Sequence, residues 1–447
     1  MSHATKSYEL PTRRIDAVSG GLRIAIPALV LIGAVAFGVA LMTDAARAWR
    51  AYHMNWLYFT TIAQGGVVLA AAVSIAKGLW SRPLRRVALS LVAFLPIALI
   101  GVLPILFIGA DHIFPWIEHP FTNGKENWLN QPFMAARTLL GLTTLFGVSL
   151  AFAYHAVRPD VGLIRSEAPE RLQGFYGWLT RGWKGQEAEE LQAYRRLRTL
   201  APLVLLLWAL FISLLVWDFV MSLEPHWFST LLGPYVFMGG FLGAIMTTAL
   251  LIITLRSRIG LQEWVTPSTL HDLGKLAFGF TVFWGYLFFS QFIVIWYGLL
   301  PLEQSFVVHR FMPPYRIIAQ LVGLMLFVLP FFGLMGVTPK RTPAIFATFA
   351  AISLTGLWLE RYLLVHPSLY IGAESLPLGW QEIGPLFMFA GLFLGSIAFF
   401  LTRFPVFQVW QPPTEIELQG VERPLEPHGV SERYATGDLG GADPRPK

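Results

Sequence analysis

The chain has 447 residues, of which 55% are hydrophobic and only 13% are charged, with a formal net charge of +6. Soluble domains carry about 25% charged residues, so the composition excludes a protein built mainly from soluble catalytic domains. The chain has no cysteine, which excludes thiolate-held iron–sulfur clusters, Cys-x-x-Cys-His haem attachment and disulfides within it. Its basic residues fall in short connections between apolar stretches, a pattern typical of membrane topology and not of nucleic-acid binding.

Ten of these apolar stretches are long enough to cross a bilayer as helices, because a hydrocarbon core about 30 Å thick needs about 20 helical residues. We place them at residues 22–43, 54–76, 87–110, 132–157, 200–222, 230–255, 272–297, 315–337, 343–363 and 382–402. A polar segment precedes the first stretch and no small-residue cleavage pattern follows it, which predicts a retained helix and not a signal peptide. The predicted fold is an all-α polytopic membrane protein.

The distribution of charge predicts the topology and the domain limits. Lys and Arg concentrate in the N-terminus, in the C-terminal tail, and in the connections 77–86, 158–198, 256–258 and 340–341. The positive-inside rule then places both termini in the cytoplasm. We expect a cytoplasmic segment at 1–21, an integral membrane domain at 22–404 and an extended cytoplasmic tail at 405–447. The connection 158–199 mixes Arg and Glu with aromatic residues, which favours amphipathic helix on the cytoplasmic membrane surface.

A weak internal similarity suggests how the helices are grouped. The fourth stretch opens with QPF at 131–133 and the eighth with PPY at 313–315, and an Arg follows in both. If the similarity marks a repeat, helices two to five and six to nine form two parallel four-helix bundles, with the first and tenth helices flanking them. Chance similarity among ten apolar helices is the alternative.

Charged residues are costly at membrane depth, so those near it are the best indicators of function. The predicted outer side holds Asp111, His112, Arg137, Asp218, Glu224, His226 and the pair Glu360–Arg361, which ends the ninth stretch. On the inner side His271, Asp272 and Lys275 open the seventh stretch on one helical face. A purely structural interpretation of this inner group also fits, because Thr269-x-x-Asp272 matches a capping box and Lys275 can extend to the headgroups.

Asp218 lies within the apolar sequence WDFVM at 217–221, where a carboxylate is paired, protonated or facing a wet cavity. Arg137 is its candidate partner, because both lie in the outer third of their helices. Two interpretations stay open: an ion pair that holds two helices together, and a proton-relay or quinone-ring contact. A bis-His haem is not favoured, since the candidate ligands all fall at predicted helix ends: His53, His112, His155 and His226.

Three segments carry a resemblance to a known family. They read WDFVMSLEPHWFSTLLGPY at 217–235, HDLGKLAFGFTVFWGY at 271–286 and FFSQFIVIWY at 288–297. Supporting matches are WLY at 56–58, FPW at 114–116 and WLNQPF at 128–133. From about residue 20 to residue 405, the chain resembles the F subunit of bacterial alternative complex III (ActF), a family related to the NrfD/PsrC membrane subunits.

The resemblance implies a membrane subunit of a quinol:cytochrome c oxidoreductase in the respiratory chain of a bacterial inner membrane. The expected partners are an NrfD-like quinol-binding subunit, an iron–sulfur subunit and multihaem cytochrome c subunits, together with the lipid bilayer. Those partner subunits would hold the haem c and iron–sulfur clusters. This chain would bind no metal or haem, and quinone or quinol is the small molecule that it could bind.

Quinol oxidation releases protons with electrons, so such a subunit could also conduct protons. The candidate path comprises Asp218, Glu224 and His226 with Arg137 on the outer side, and His271, Asp272 and Lys275 on the inner side. Groups available between them are Tyr286, Ser290, Gln291 and Ser213. Because no carboxylate is predicted at the midplane, the path would consist of two half-channels. A scaffold subunit without its own proton path and a secondary transporter are the alternatives.

Overall fold

Ten long apolar helices make up most of the protein, as the hydropathy predicts. The structure is a computed structural model, and it describes Ile15 and residues 19–122, 124–258 and 260–410. Within that part of the chain the membrane-length helices are α1 Gly20–Thr43, α2 Ala45–Ile75, α3 Leu79–Phe107, α4 Gln131–Glu167, α5 Gln186–Leu223, α6 Leu232–Leu255, α7 Pro267–Gly298, α8 Arg316–Gly333, α9 Pro343–Leu369 and α10 Trp380–Leu401. The chain is an all-α polytopic membrane protein.

Several helices extend beyond the predicted apolar stretches, because polar residues at their ends are covered by other parts of the protein. α2 begins at Ala45, well before the predicted start at 54, and the Asp44 side chain accepts a hydrogen bond from the Arg47 N–H at 3.0 Å. α4 and α5 also extend beyond the predicted stretches, to Glu167 and from Gln186 respectively. The connection 158–199 is therefore mostly a continuation of these two helices, with one short surface helix at Glu170–Leu179.

The start of α7 is fixed by a residue other than the predicted one. Thr266 is the N-cap: its hydroxyl accepts a hydrogen bond from the Thr269 N–H at 3.2 Å, and Pro267 occupies the first helical position, where proline is favoured. The predicted capping box between Thr269 and Asp272 is therefore wrong. Asp272 already lies in the second turn of the helix.

Eight of the helices form two groups of four consecutive helices. In the first bundle, α2 to α5, each helix contacts the next and α5 returns to α2, and in the second bundle α6 to α9 do the same. The two bundles share an interface, since α2 contacts α6 and α9 while α5 contacts α6. α1 and α10 pair with each other on the outside of the first bundle, against α2 and α3. The predicted arrangement of two bundles with flanking helices is confirmed.

The contact between the bundles depends on glycine. A Cβ atom at Gly65 of α2 would lie 2.7 Å from the Gly240 carbonyl oxygen of α6, and one at Gly240 would lie 2.8 Å from the Thr61 side chain. Small residues let membrane helices approach closely, and this close contact is a main source of their association. These glycines therefore allow the two bundles to form one body.

Both ends of the bundles carry further structure. The connections 76–78, 168–185, 256–258 with 260–266, and 334–342 lie at one end, named the basic face. The connections 108–122 with 124–130, 224–231, 299–315 and 370–379 lie at the other, named the opposite face. The opposite face carries a short helix at Pro301–Phe311. On the basic face, residues 404–410 are buried against the first bundle. The predicted N-terminal segment 1–21 and tail 405–447 otherwise lie outside the described residues.

Candidate functional site

Asp218 and Arg137 form a closed ion pair between α5 and α4 near the opposite face. Arg137 Nε and Nη2 donate to Asp218 Oδ2 and Oδ1 at 2.7 and 2.5 Å, and Trp128 Nε1 donates to Oδ1 at 3.0 Å. The guanidinium also lies 4.2 Å from the Trp128 ring centroid. The predicted partnership is confirmed. Both Asp218 oxygens already accept hydrogen bonds. This bidentate geometry suits an ion pair that holds α4 and α5 together.

Glu224 belongs to a separate cluster with the surface helix Pro301–Phe311. Its carboxylate accepts hydrogen bonds from Ser305 Oγ at 2.7 Å and from Ser368 Oγ at 3.1 Å, and Arg310 Nη1 lies 3.5 Å away. Burial lowers the pKa of Arg310 to about 10, while the charge of Glu224 opposes that shift. Arg310 is therefore still a cation at neutral pH. The sequence offered no signal for this helix, because it is too short to span a membrane.

His226, which was also predicted on the outer side, belongs neither to the Asp218 pair nor to the Glu224 cluster. His226 is exposed, and its ring meets Phe121 edge-on with centroids 6.0 Å apart. The predicted outer group therefore divides into a paired Asp218, a bonded Glu224 and an isolated His226.

The inner group lies at the basic face, at the start of α7. Lys275 Nζ contacts Asp272 Oδ1 at 2.7 Å, with the two side chains 58% and 23% exposed. Lys340 of the short helix Val337–Arg341 joins the group and donates to the Leu334 carbonyl at 2.9 Å. Burial, followed by the charge of Lys275, lowers the pKa of Lys340. His271 completes the cluster, in which Lys275 is exposed, His271 and Asp272 are half-buried, and Lys340, which the sequence did not suggest, is buried.

The last turns of α9 are buried on every side although they are polar. Residues 356–368 are all buried and include Glu360, Arg361, His366 and Ser368. Glu360 and Arg361 form an ion pair, and Arg361 Nη2 donates to the Val236 carbonyl of α6 at 2.9 Å. The predicted position of this pair at the end of the ninth span is wrong, because α9 continues to Leu369. At 1.5 Å per residue, Glu360 lies about 14 Å inside that end.

A cavity of about 500 Å³, named the aromatic cavity, opens in the second bundle between α7, α8, α9 and the helix Pro301–Phe311. Six phenylalanines line it: Phe288, Phe289, Phe292, Phe306, Phe311 and Phe327. Phe289 and Val328 at its edge are 56% and 40% exposed. Because both belong to membrane-length helices, the cavity opens toward lipid. A π-helical turn at Leu324–Val328 brings Phe327 into the wall, and such turns are frequent at functional sites.

Polar side chains interrupt this apolar wall, among them Glu360, Arg310, Tyr235, Trp284, Gln291 and Gln320. Tyr235 and Trp284 approach the Glu360 carboxylate, yet Glu360 Oε1, Trp284 Nε1 and Arg310 Nε form no hydrogen bond of good geometry with any described residue. Glu360 is 2% exposed and Arg310 6%. An unpaired buried polar atom costs roughly 1–3 kcal/mol. Three such atoms in one cavity wall indicate a place for a polar group of a ligand or for water.

A second buried polar cluster, which sequence reasoning missed, joins α2, α9 and α10. Arg47 Nε and Nη2 donate to the fully buried Glu382 at 2.7 and 2.8 Å, and His366 Nε2 lies 3.8 Å from the same carboxylate. Asn55 Nδ2 donates to the Glu382 backbone carbonyl at 3.1 Å. Arg47 and His366 lie outside the predicted apolar stretches, whereas Asn55 and Glu382 lie at the ends of two of them, so the sequence did not indicate that these residues meet.

His53 also differs from its predicted place at a helix end. It lies within α2, is fully buried and sits against Phe219 with ring centroids 5.3 Å apart. Neither of its ring nitrogens has a hydrogen-bond partner among the described residues. It is close enough to interact electrostatically with His366, whose own ring is stacked on Tyr362 at 4.2 Å.

The residues expected to link the inner and outer groups are dispersed. Tyr286 is 62% exposed, and Ser290 beside it is only half-buried. Ser229 Oγ donates to Gln291 Oε1 at 3.1 Å, and Ser213 Oγ donates to the Ala209 carbonyl of its own helix at 2.6 Å. These four side chains do not face one interior path.

Two hydroxyl groups that the sequence analysis did not name are better placed to lie on an interior path. Thr281 of α7 and Ser353 of α9 are fully buried, and neither hydroxyl has a hydrogen-bond partner among the described residues. Ser353 lies about two turns before Glu360 on α9, and Thr281 lies just under two turns beyond Lys275 on α7. They stand between the inner group and the aromatic cavity.

No family model matches the chain, and a search of the curated proteins finds no match. Among the described residues no three His, Cys, Asp or Glu side chains are grouped so as to hold a metal ion. The fold and the site together define the class of protein: an all-α, multi-pass membrane protein with interhelical ion pairs in one bundle and a lipid-facing cavity in the other.

Proposed function

We propose that the chain is an integral membrane subunit of a quinol:electron-acceptor oxidoreductase complex of a respiratory chain, and that its second bundle binds the quinone. The observation that carries the proposal is the aromatic cavity, whose apolar wall is interrupted by Glu360 and Arg310. The resemblance of segments 217–235 and 271–297 to the F subunit of bacterial alternative complex III supports the same class of complex.

The cavity suits a quinone in size and chemistry. Its volume of about 500 Å³ falls within the range of pockets that hold small molecules. Its phenylalanine rings can stack on a planar ring, an arrangement that aromatic pairs prefer. The opening toward lipid leaves room for an isoprenoid tail. The two polar ends of a quinone ring would meet Arg310, which donates, and Glu360, whose Oε1 can accept.

These residues would also handle the protons of the reaction. A quinol gives up two protons and two electrons, and the electrons would pass to the haem c or iron–sulfur clusters of partner subunits. Glu360 would accept the proton of one hydroxyl, the proton of the other hydroxyl would leave through internal water to Glu224, and the Arg310 cation would stabilise the charge that develops on that second oxygen. Glu224, bonded to Ser368 beside Arg310, would release protons at the opposite face.

The inner group would serve as the uptake end of a proton path. His271, Asp272 and Lys275 lie at the basic face, and Thr281 and Ser353 offer hydroxyl groups toward Glu360. Between the two ends only hydroxyl groups are in place, so internal water would have to complete the path. Moving one charge across the membrane costs about 2.3 kcal/mol per 100 mV, which makes such coupling measurable.

A structural function is favoured for the first bundle by its own contacts. Asp218 is fully bonded to Arg137 and Trp128, and Arg158 donates to both oxygens of Glu189 at 2.7 and 2.9 Å. We therefore assign Asp218 to the scaffold and not to the proton path. A transporter would present irregular helices around a polar midplane site. The irregular segment of α3, Ser90–Phe94, lies in apolar core, and that of α8, Leu324–Val328, borders a cavity whose wall is mainly phenylalanine.

Membership of a complex is tested by purifying the tagged chain from its own membranes in a mild detergent. On a native gel we expect it to migrate with polypeptides that stain for haem c and with quinol:cytochrome c activity. Migration alone, from membranes that retain that activity, would contradict the proposal.

Quinone binding is tested by filling the cavity. Ala319 lines the aromatic cavity, so Ala319→Phe should reduce quinone binding and quinol oxidation at least ten-fold, as the loss of about 1.4 kcal/mol of binding free energy would. Ala344→Phe, on the exposed side of α9, is the matched control and should leave both unchanged. Equal activity of the two variants, in complexes of normal composition, would place the quinone elsewhere.

A further inference from the structure

A second cavity, of about 360 Å³, lies at the basic face of the first bundle. It is enclosed by α2, α3, α4 and α5, and residues 408 and 410 of the buried C-terminal segment close one side. Its lining includes four cationic side chains, Lys77, Arg85, Arg86 and Arg198, and no carboxylate among the residues described there. This basic pocket has no place in the proposed quinone reaction.

Arg86 shows that the pocket is built for an acceptor. The side chain is 2% exposed, and its Nη2 is bonded to Asp160 and to the Ala156 carbonyl. Its Nε and Nη1 have no hydrogen-bond partner among the described residues. Asp160 is fully engaged, since it also accepts from the N–H groups of Val409 and Trp410 at 3.1 and 2.9 Å. A buried guanidinium with unused donors beside a cavity suits an anionic oxygen ligand.

The other polar groups of the pocket reinforce this charge. Arg85 is held in place by Ser81 Oγ at 2.9 Å and by the Gly78 carbonyl at 3.0 Å. Arg198 lies over the Tyr194 ring at 5.7 Å, and Lys77 is exposed at the end of α2. Arg85 and Arg86 are therefore cations held in place inside the pocket, and Lys77 and Arg198 are cations at its edge whose side chains can adjust.

The pocket lies at the level where membrane meets water. The polar start of α5 ends at Arg198, after which the helix is apolar, and the apolar run of α2 ends at Ile75 just before Lys77. Apolar side chains continue the wall on the membrane side, among them Leu89, Phe152 and Leu197. Cations at headgroup level above apolar surface, in a pocket between membrane helices, are the arrangement that binds anionic lipid headgroups.

We infer that the basic pocket binds one anionic phospholipid. Its phosphate oxygens would accept hydrogen bonds from Arg86 Nε and Nη1, Lys77 and Arg198 would neutralise the remaining headgroup charge, and an acyl chain would lie along Ile75 and Leu89. The bound lipid would tie the ends of α2, α3 and α5 to the buried segment at Trp410. This inference does not depend on the proposed quinone reaction.

The test is lipid binding to the purified, delipidated full chain, measured by native mass spectrometry. The probes are dioleoyl phosphatidylglycerol, dioleoyl phosphatidylcholine and inorganic phosphate. We expect one phosphatidylglycerol per chain at low lipid concentration, with phosphatidylcholine bound at least ten-fold more weakly, since its headgroup carries no net negative charge. Inorganic phosphate at millimolar concentration should not displace the lipid, because it lacks the acyl chain.

Two double variants locate the site. Lys77→Gln with Arg198→Gln removes two cations from the edge of the pocket and should weaken phosphatidylglycerol binding roughly 25-fold, since each basic side chain near an anionic headgroup contributes about five-fold. Arg195→Gln with Arg196→Gln makes the same charge change on the same helix outside the pocket, and should change binding less than about two-fold by the same reasoning.

Three results would overturn the inference. Equal weakening by the two double variants would mean that general surface charge attracts the lipid. Equal retention of the two phospholipids would mean that the headgroup charge is not recognised. Displacement of the lipid by inorganic phosphate would assign the pocket to a soluble phosphate compound.

Discussion

The two four-helix bundles use buried charge in different ways. In the first bundle three buried carboxylates pair with arginines on neighbouring helices: Asp218 with Arg137, Glu189 with Arg158, and Asp160 with Arg86. In the second bundle Glu360 pairs with the adjacent residue of its own helix, Arg361. A pair between helices holds two elements together, whereas a pair within one helix leaves the carboxylate free to face a cavity.

The surroundings of the two kinds of pair differ accordingly. Asp218 has donors on both oxygens and only a crevice of about 10 Å³ beside it. Glu360 keeps an oxygen without a partner among the described residues and borders a cavity of about 500 Å³. Burial alone therefore does not mark a functional carboxylate. What distinguishes Glu360 is unused hydrogen-bonding capacity next to space for a ligand.

The largest expected effect is on stability in the first bundle. Asp218→Asn leaves the Arg137 cation without its counter-charge in a site where Asp218 is 1% exposed, and removing one partner of a buried pair costs about 3–5 kcal/mol. We expect a sharp fall in the yield and melting temperature of the detergent-purified protein. The double variant Asp218→Leu with Arg137→Leu should recover most of the loss, because replacing both partners by apolar residues is often neutral. A melting temperature unchanged by Asp218→Asn would remove this residue from the scaffold.

The next largest effect is on catalysis in the second bundle. Glu360→Gln keeps the shape of the side chain and an oxygen that can accept from Arg361, but it cannot take up a proton. Loss of a general base typically slows a reaction by about 10²–10⁴-fold. We expect the rate of quinol oxidation per assembled complex to decrease by a factor in that range. Glu374 is an exposed carboxylate on the opposite face, so Glu374→Gln is the control and should leave the rate unchanged. Near-normal turnover of Glu360→Gln complexes would show that this carboxylate does not receive the quinol proton.

A smaller effect tests the interface that joins the bundles. Gly65→Ala places a methyl group 2.7 Å from the Gly240 carbonyl oxygen, and overpacking of this kind costs about 1–3 kcal/mol. Gly147→Ala, where the added methyl group meets nothing within 4 Å, should instead raise helix stability by about 0.5–1 kcal/mol. Melting temperatures of the two variants should move in opposite directions. Similar shifts for both would mean that the bundles are not in close contact at Gly65.

The smallest effect on stability is expected for the inner group. Lys275 is 58% exposed, and exposed ion pairs contribute about 0–1 kcal/mol, so Lys275→Met should fold and assemble normally. If the inner group takes up protons, the proton-to-electron ratio of reconstituted complexes should fall while quinol oxidation in detergent stays near normal. An unchanged ratio would remove Lys275 from the proton path.

The sequence was sufficient to predict the fold and one contact of the site, the ion pair between Asp218 and Arg137. Hydropathy finds the apolar middle of each helix, so all ten helices were predicted, and the isolated charges of Asp218 and Arg137 identified their pairing. Hydropathy does not find helix ends that are covered by protein. That is why α9 was ended too early, Glu360 was placed at the membrane surface, and the contact of Arg47 with Glu382, 335 positions apart, was missed.

The aromatic cavity could not be predicted for a related reason. Its walls are phenylalanines that look like ordinary membrane-facing residues, and its cation, Arg310, comes from a surface helix too short to show a hydropathy signal. A cavity arises from the relative positions of α7, α8 and α9, and those positions depend on contacts between residues far apart in the chain. The spacing of residues along one helix therefore does not predict the cavity.

Photo-crosslinking tests whether the second bundle, and not the first, binds the quinone. A photoreactive quinone analogue is added to the purified complex, and the modified peptides of this chain are mapped by mass spectrometry with and without excess unlabelled quinol. We predict modification within Pro267–Gly298 and Arg316–Gly333, the two helices that carry Phe288 and Phe327, and its loss when quinol competes. Competable modification confined to α2–α5, or none in this chain, would contradict the account.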